Sequence, residues 1–194
     1  MPGISYIHPL DQPLNKRRLL AEIKSALGSA QFNSLSIAVA AVSLGPLLRL
    51  DAAFKKWKAA GKRIVAIYGV DIGATTIEAL TYSLLVFDAV YISRIPGIKF
   101  HPKLYIFKGV QKGLVFYGSN NLTVPGTETN FEASIIADYN LPADAAAFAD
   151  ALRGWDDLWA EKASNTVVPL TAALLAQLAS EGLVIAEKKL STIS

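Results

Sequence analysis

The sequence predicts an α/β fold in which helices flank both faces of a mixed β-sheet. Two observations lead to this expectation. Helix-like and strand-like segments alternate through the first 92 residues, a pattern typical of largely parallel strands joined by helices. Three strand-like segments then follow, and the first two stand too close together in the chain to hold a helix between them. The sheet is therefore expected to be mixed rather than parallel throughout.

The first half of the chain supplies the alternating elements. A helix is predicted over residues 14–27, where leucine and isoleucine recur at helical spacing before Gly28. A second helix is predicted over residues 46–60, with an apolar stripe that ends before a glycine. A third begins at residues 75–78, TTIE, which have the spacing of a capping box. The predicted strands are the apolar segments 34–42, 63–68 and 88–92.

The second half of the chain changes character. Its predicted strands are residues 101–107, 113–117 and 131–137, and its predicted helices are residues 144–161 and 170–180. We expect residues 1–161 to form one domain. We expect residues 162–194 to be a C-terminal helical extension, which is either a terminal helix or the start of another module.

The composition is that of a protein with a sizeable core. Hydrophobic residues make up 52% of the 194 residues and charged residues 18%, so disorder is not expected. The absence of cysteine excludes disulfides, thiol catalysis and cysteine-based zinc sites, and fits a reducing compartment. Two histidines are too few for a metal site built from several histidines of one chain, so we expect neither a metal nor another cofactor.

The N-terminal residues lack the basic and then apolar order of a secretory signal. The most apolar run, residues 35–48, is interrupted by Gly45-Pro46 and is too short to span a bilayer. We therefore expect a soluble, cytoplasmic protein without a membrane partner.

Charge is distributed unevenly along the chain. Residues 1–112 carry 15 Lys and Arg against 6 Asp and Glu, whereas residues 113–194 carry 4 against 10. A basic half favours a polyanionic partner such as nucleic acid. The alternative is an ordinary solvated surface.

The stretch KFHPKLYIF places His101 and Lys103 in a predicted strand, where residues two apart point to the same face. A buried lysine is costly unless it is paired or binds an anion, and an imidazole beside it adds repulsion when both are charged. A negatively charged substrate would relieve both problems, so the pair predicts a phosphate site. The alternative is an edge strand whose polar face meets water.

Two further polar segments follow strands. Ser119 and Asn121, in GSNNLT, have small polar side chains that can turn toward an anion at a strand end; the alternative is an Asn-rich turn. Glu132 opens the apolar segment FEASIIA. Its carboxylate is able to accept a hydrogen bond from histidine Nδ1–H and leave Nε2 free to attack; the alternative is an exposed glutamate at the start of a strand.

Together these motifs resemble the phospholipase D superfamily, whose signature is H-x-K-x4-D followed by G-S-x-N. Residues 101–103 match H-x-K, residues 118–121 match G-S-x-N, and Glu132 stands where the nuclease branch has its acidic residue. The resemblance covers residues 1–160. It is nearest to the catalytic domain of BfiI-type metal-independent restriction endonucleases, which share H-x-K-L-Y, N-[LF]-T, a P-G turn and N-x-E-A-S. It implies a phospholipase D-like mixed sheet.

One position departs from the signature. The aspartate of H-x-K-x4-D would stand at position 108, which is Lys108 in this chain. BfiI-type nucleases also lack this aspartate, so the departure fits that branch and argues against a typical phospholipase.

The resemblance implies a metal-independent phosphodiesterase, an endonuclease that cleaves DNA through a phosphohistidine intermediate and serves restriction or defence. Sequence recognition would then need a separate domain or subunit. The alternatives are a phosphodiesterase acting on RNA or phospholipid, and a catalytically silent nucleic-acid-binding module. Intact His101 and Glu132 argue against the silent module, because binding alone needs no nucleophile beside an orienting carboxylate.

Members of the superfamily use two histidines, one from each of two H-x-K motifs, whereas this chain has one such motif. Its other histidine, His8, has no lysine partner. The resemblance therefore implies a homodimer in which two copies of His101 meet, one attacking phosphorus and the other protonating the leaving oxygen. The remaining implied roles are oxyanion binding by Lys103 and Asn121, a hydrogen bond from Ser119 and orientation of His101 by Glu132.

Overall fold

The computed structural model describes residues 1–93, 95, 97–155, 158 and 166–187. Its strands are β1 (Gly3–Ile7), β2 (Ser34–Val39), β3 (Arg63–Gly69), β4 (Ala89–Ser93), β5 (Lys103–Lys108), β6 (Lys112–Gly118), β7 (Ser134–Asn140) and β8 (Val167–Pro169). Its helices are α1 (Leu19–Gly28), α2 (Leu44–Ala59), α3 (Ile77–Val86), α4 (Ala145–Ala151) and α5 (Ala172–Ser180), with a π-helical turn at Pro125–Thr129. None of these helices is both long enough and apolar enough to cross a membrane.

The strands form one mixed sheet in the order β1-β7-β6-β5-β2-β3-β4-β8. The strands β2, β3 and β4 pair in parallel. The strands β5, β6, β7 and β1 pair antiparallel, and β5 also pairs antiparallel with β2. The predicted mixed α/β sheet is confirmed, and the pairing changes from parallel to antiparallel at β2.

Alternating residues of the central strands enter separate hydrophobic layers, which is why helices cover both faces. Tyr105 and Phe107 of β5 join a core with the apolar sides of α1, α2, α3 and α5. Leu104 and Ile106 point to the opposite face and pack in a cluster with Phe148 of α4. Every second residue of a strand faces the same way. Both faces of β5 are therefore buried, each in its own hydrophobic cluster.

Two predicted helices are shorter than the sequence indicated. The first begins at Leu19 rather than at residue 14, because residues 9–15 form turns in which Leu14 is exposed. The helix predicted over 144–161 is interrupted after Ala151, where Gly154 adopts a left-handed φ of 84°, and Trp155 and Leu158 are again helical. Most of residues 156–161 lie outside the described residues.

Three elements were not predicted: β1, the π-helical turn and β8. The β1 strand lies at one edge of the sheet and pairs with β7, and β8 lies at the other edge and pairs with β4. Beyond β8, Leu170, Leu178 and Val184 belong to the same core as α1–α3. The division into residues 1–161 and 162–194 stays a prediction.

The start of α3 differs in detail from the predicted capping box. Thr76 is the N-cap, and its hydroxyl accepts a hydrogen bond from the backbone N–H of Ala79 at 3.3 Å. The Thr75 hydroxyl donates instead to the carbonyl of Gly69 at 2.6 Å. Glu78 does not close the box, because its carboxylate accepts a hydrogen bond from the backbone of Glu187 at 2.8 Å.

Glu187 also caps α2, whose own N-cap residue, Ser43, makes no side-chain capping bond. The Glu187 carboxylate accepts hydrogen bonds from the backbone N–H of Leu44 and, at 3.0 Å, from the Thr76 hydroxyl. A carboxylate at this position satisfies an otherwise unpaired N–H group and complements the positive end of the helix dipole. A residue near the end of the described chain therefore holds the first turn of a helix that begins at residue 44.

We expect Glu187→Ala to lower the free energy of unfolding by about 1 kcal/mol, the usual value of a lost N-cap. Glu187→Gln keeps the accepting oxygen and should lose less than the alanine variant. Urea unfolding of the three proteins measures the difference, and equal midpoints for wild type and Glu187→Ala would contradict the capping role.

Candidate active site

The sequence-predicted site residues lie on three loops at one end of the sheet. His101 precedes β5, Ser119 and Asn121 follow β6, and Glu132 precedes β7. Because β5, β6 and β7 are antiparallel neighbours, the start of β5, the end of β6 and the start of β7 meet at the same edge. The predicted strands began too early here, since both His101 and Glu132 lie in loops.

Lys103 reaches back from the first position of β5 to His101. Its Nζ atom is 2.6 Å from Nδ1 and 3.1 Å from Nε2 of the imidazole, and it donates to the His101 carbonyl at 3.1 Å. The imidazole is exposed, whereas Lys103 is only 8% exposed. The structure thus places a solvent-accessible imidazole directly against a buried lysine.

The surroundings of Lys103 disfavour its positive charge. Burial lowers the pKa of the ammonium group below that of an ordinary lysine, and the negative charge of Glu132 partly opposes this shift. An anion that approached Lys103 would stabilise the charged form in the same way as Glu132 does, but more strongly at hydrogen-bond distance. The site is therefore electrostatically suited to bind a phosphate group.

Glu132 and Ser119 form a pair on the neighbouring strand ends. The Ser119 hydroxyl donates to the Glu132 carboxylate, and the Asn130 amide donates to the other carboxylate oxygen at 3.4 Å. In the part of the chain that the structure describes, Glu132 makes no hydrogen bond to His101. The orienting contact suggested by the sequence is not present in this arrangement, where the carboxylate orients Ser119.

Gly118 allows these two loops to come close together. A Cβ atom at this position would lie 2.2 Å from the carbonyl oxygen of Ala133, far inside van der Waals contact. The approach permits the backbone N–H of Ser119 to donate to the Ala133 carbonyl at 3.0 Å and the N–H of Ala133 to donate to Ser119 Oγ at 3.1 Å. The glycine of G-S-x-N is thus required by packing.

The two asparagines that follow Ser119 differ in environment. The Asn121 side-chain oxygen accepts from the backbone N–H of Ala41 at 3.2 Å, so the group that Asn121 has to offer a ligand is its NH₂ donor. Asn120 is buried, and its NH₂ group donates to the Gly126 carbonyl at 2.7 Å. The Asn121 NH₂ group has no hydrogen-bond partner among the described residues, whereas Asn120 holds the loop to the π-helical turn.

Gln12 is a site-supporting residue that the sequence analysis missed. Its side chain is fully buried, and its carbonyl oxygen accepts from the Asn120 amide at 3.0 Å and from the backbone N–H of Leu19 at 3.1 Å. Its own NH₂ group lies 3.3 Å from the carbonyls of Gly126 and Asn130. No periodicity marks a lone glutamine in a turn-rich segment, so only the tertiary structure identifies it.

His8 lies at the same end of the sheet but away from Lys103. It follows β1, and three strand spacings separate β1 from β5 in the sheet order, which is about 14 Å across the strands. Its ring is exposed and stacks near Tyr6, with 5.8 Å between the ring centroids. Among the described residues, no contact joins the rings of His8 and His101.

No family model and no curated protein sequence matches the chain. Solved structures do match it. One is Nuc from Salmonella typhimurium, a phospholipase D family member, which is 19% identical with a TM-score of 0.61 over 89% of this chain and 100% of that one. The chain has a phospholipase D-like fold. NucT from Helicobacter pylori is 17% identical, also with a TM-score of 0.61, over 88% of this chain and 100% of that one.

The same fold occurs as part of larger proteins. Phosphatidylserine synthase from Haemophilus influenzae is 12% identical with a TM-score of 0.55, and the match covers 93% of this chain but 45% of that one. At these identities the likeness establishes the architecture, and the chemistry has to be argued from the residues.

We expect Gln12→Ala to lower the free energy of unfolding by about 2 kcal/mol, because it leaves buried hydrogen-bonding groups of Leu19 and Asn120 without their partner. The matched control is Gln31→Ala, which truncates an exposed glutamine and should change stability by less than about 0.5 kcal/mol. Urea unfolding measures both changes. Equal losses of unfolding free energy in the two variants would contradict the supporting role of Gln12.

Proposed function

We propose that this protein is a metal-independent phosphodiesterase that cleaves DNA through a phosphohistidine intermediate at an active site shared by two copies of the chain. The observation that carries the proposal is the contact of exposed His101 with buried Lys103, beside Ser119 and Asn121, at one end of a phospholipase D-like sheet. A nucleophile, a cation and an amide donor thus belong to neighbouring strand ends.

In the proposed reaction, Nε2 of one His101 forms a bond to phosphorus as the bond from phosphorus to the leaving oxygen breaks. The second His101 gives its proton to that oxygen. It then takes a proton from water, whose oxygen attacks phosphorus and releases the first histidine. Lys103 and the Asn121 NH₂ group stabilise the negative charge that builds on the nonbridging oxygens.

Ser119 and Glu132 support this arrangement. Because Glu132 accepts the Ser119 hydroxyl hydrogen, it fixes the hydroxyl oxygen at the edge of the site. The orientation of His101 by Glu132 remains part of the proposal and would require the carboxylate to exchange partners when substrate binds. The negative charge of Glu132 also supports the ammonium form of Lys103.

DNA is the proposed substrate because the N-terminal 112 residues are strongly basic and because the motifs resemble BfiI-type nucleases. A role in restriction or defence follows from the same resemblance. A separate domain or subunit would then supply sequence recognition, because the described residues already form the catalytic fold and the proposed site.

The proposed homodimer follows from the count of histidines and from a surface. One chain supplies a single His101, and His8 lies three strands away from it without a lysine partner. An apolar row formed by Tyr6, Ile135 and Tyr117 crosses β1, β7 and β6 in register, one residue from the strand ends that carry the site. Each of the three side chains is about half exposed. A second copy that covered this row would bring its own site loops close to the first.

The first test is the cleavage of supercoiled plasmid by purified protein in EDTA. We expect nicking by the wild type and a loss of about 10⁴-fold or more in His101→Ala, because the nucleophile is removed. His8→Ala is the matched control and should retain activity. Cleavage that needs added metal, or that survives in His101→Ala, contradicts the proposed chemistry. Cleavage of RNA but not of DNA would show that RNA, rather than DNA, is the substrate.

The shared site is tested by mixing subunits. Wild-type protein exchanged with a large excess of His101→Ala should lose activity, because most wild-type chains then lack a second histidine. The control is the same excess of the double variant Tyr117→Glu/His101→Ala, in which a charge on the apolar row prevents pairing, and wild-type activity should persist. Full activity in excess His101→Ala, or an active monomer in solution scattering, would disprove the shared site.

A further inference from the structure

A basic groove lies beside the site loops, outside the residues that carry the proposed chemistry. It has a volume of about 420 Å³ and opens between α1, the segment before it, α2 and the π-helical turn. Three cations line it, namely Arg18, Lys24 and Arg49, together with one carboxylate, Glu128. The excess of positive charge distinguishes this surface from the acidic second half of the chain.

The groove is held to the site by buried hydrogen bonds. Arg18 directly precedes Leu19, whose backbone N–H donates to the Gln12 side chain. Gln12 in turn accepts from Asn120, the residue between Ser119 and Asn121. On the opposite wall, Glu128 stands two residues after Gly126, whose carbonyl accepts from the same Asn120 amide. The walls of the groove therefore have a fixed position relative to the site loops.

The cations of the groove differ in how far they are engaged. Arg49 lies 3.1 Å from the Glu128 carboxylate, which is largely buried. Within the described residues Lys24 has no ion-pair partner, and its side chain is exposed. Arg17, the neighbour of Arg18, is by contrast committed to Glu22 at 2.7 Å. Arg18 is partly buried, and its Nε donates to the Gln12 carbonyl at 3.5 Å, whereas its two terminal NH₂ groups have no hydrogen-bond partner among the described residues. Those NH₂ groups and the Lys24 ammonium are the donors that an incoming anion meets.

Leu20 and Ala21 of α1 line the groove between Arg18 and Lys24. A guanidinium and an ammonium group separated by small apolar contacts suit the phosphates and sugars of a nucleic acid backbone, where contacts position the chain without reading its sequence. The groove contains no exposed aromatic side chain for base stacking among its lining residues, which also favours backbone binding over base recognition.

We propose that this groove binds DNA backbone phosphates that flank the phosphate cleaved at His101. The inference rests on the proposed function, which it deepens by assigning the segment of the substrate outside the reacting group. Arg18 and Lys24 make the phosphate contacts. Arg49, held by Glu128, adds positive potential at the side of the groove formed by α2.

The test measures DNA binding separately from cleavage, by fluorescence anisotropy of a labelled duplex in the His101→Ala background over a range of salt concentrations. Adding Arg18→Ala and Lys24→Ala should weaken binding about tenfold or more, and should reduce the slope of log affinity against log salt by about 2, because each lost phosphate contact contributes about 0.9. Thermal unfolding by circular dichroism checks that the variants are folded.

The matched control removes one arginine and one lysine elsewhere. Arg63 and Lys108 are exposed and flank Ser34 at the opposite end of the sheet, so Arg63→Ala/Lys108→Ala in the same background should leave the slope unchanged. Equal slopes in the groove variant and its parent overturn the inference, as does an equal loss in the control.

The same assay separates this inference from the proposed function. If the parent binds and the wild type cleaves DNA while the groove variant keeps its slope, the groove inference fails and the function stands. If the His101→Ala parent binds no duplex even at low salt, DNA is excluded both as the substrate of the proposed function and as the ligand of the groove. Loss of RNA binding alone in the groove variant also overturns the assignment to DNA.

Discussion

The buried hydrogen bonds between Gln12 and Asn120 are the constraint on which the site depends. These two amides link the N-terminal segment, the loop after β6 and the π-helical turn in one network. A buried amide left without partners costs about 1–3 kcal/mol of free energy per group. Moving one of these loops away would break its hydrogen bonds to Gln12 or Asn120 and incur that free-energy cost. The loops that carry Ser119, Asn121 and Glu132 are thereby tied to the N-terminal segment and to one another.

The change of strand pairing at β2 decides where this network lies. Parallel strands end together, which places the loops after β2 and β3 at one edge of the sheet. The antiparallel β5 begins at that same edge, and β6 ends there. A mixed sheet therefore gathers loops from both halves of the chain, and the backbone N–H of Ala41 after β2 holds Asn121 from the second half.

The site combines a rigid frame with an unfavourable charge. Lys103 is held in a place where burial disfavours its ammonium form, with Glu132 as partial compensation. Such strain at a preorganised cation is relieved when an anion arrives, and electrostatic groups fixed before reaction need no reorganisation during it. The same hydrogen-bond network extends to the residues beside Arg18 and Glu128, so that the basic groove and the site loops share one support.

The sequence by itself determined six of the eight strands, the mixed character of the sheet and the polar motifs that lie at its end. Those features depend on local patterns: apolar runs of strand length, helical periodicity, and the short spacings of H-x-K and G-S-x-N. Only the tertiary structure decided which strand ends meet, that His101 and Glu132 lie in loops, and that Glu132 contacts Ser119. It also revealed Gln12 and Glu187 as partners of distant segments, with contacts that span 108 and 143 residues of the chain. Hydrogen bonds between such distant residues leave no periodic trace in a sequence, because they depend on how the whole sheet brings its ends together.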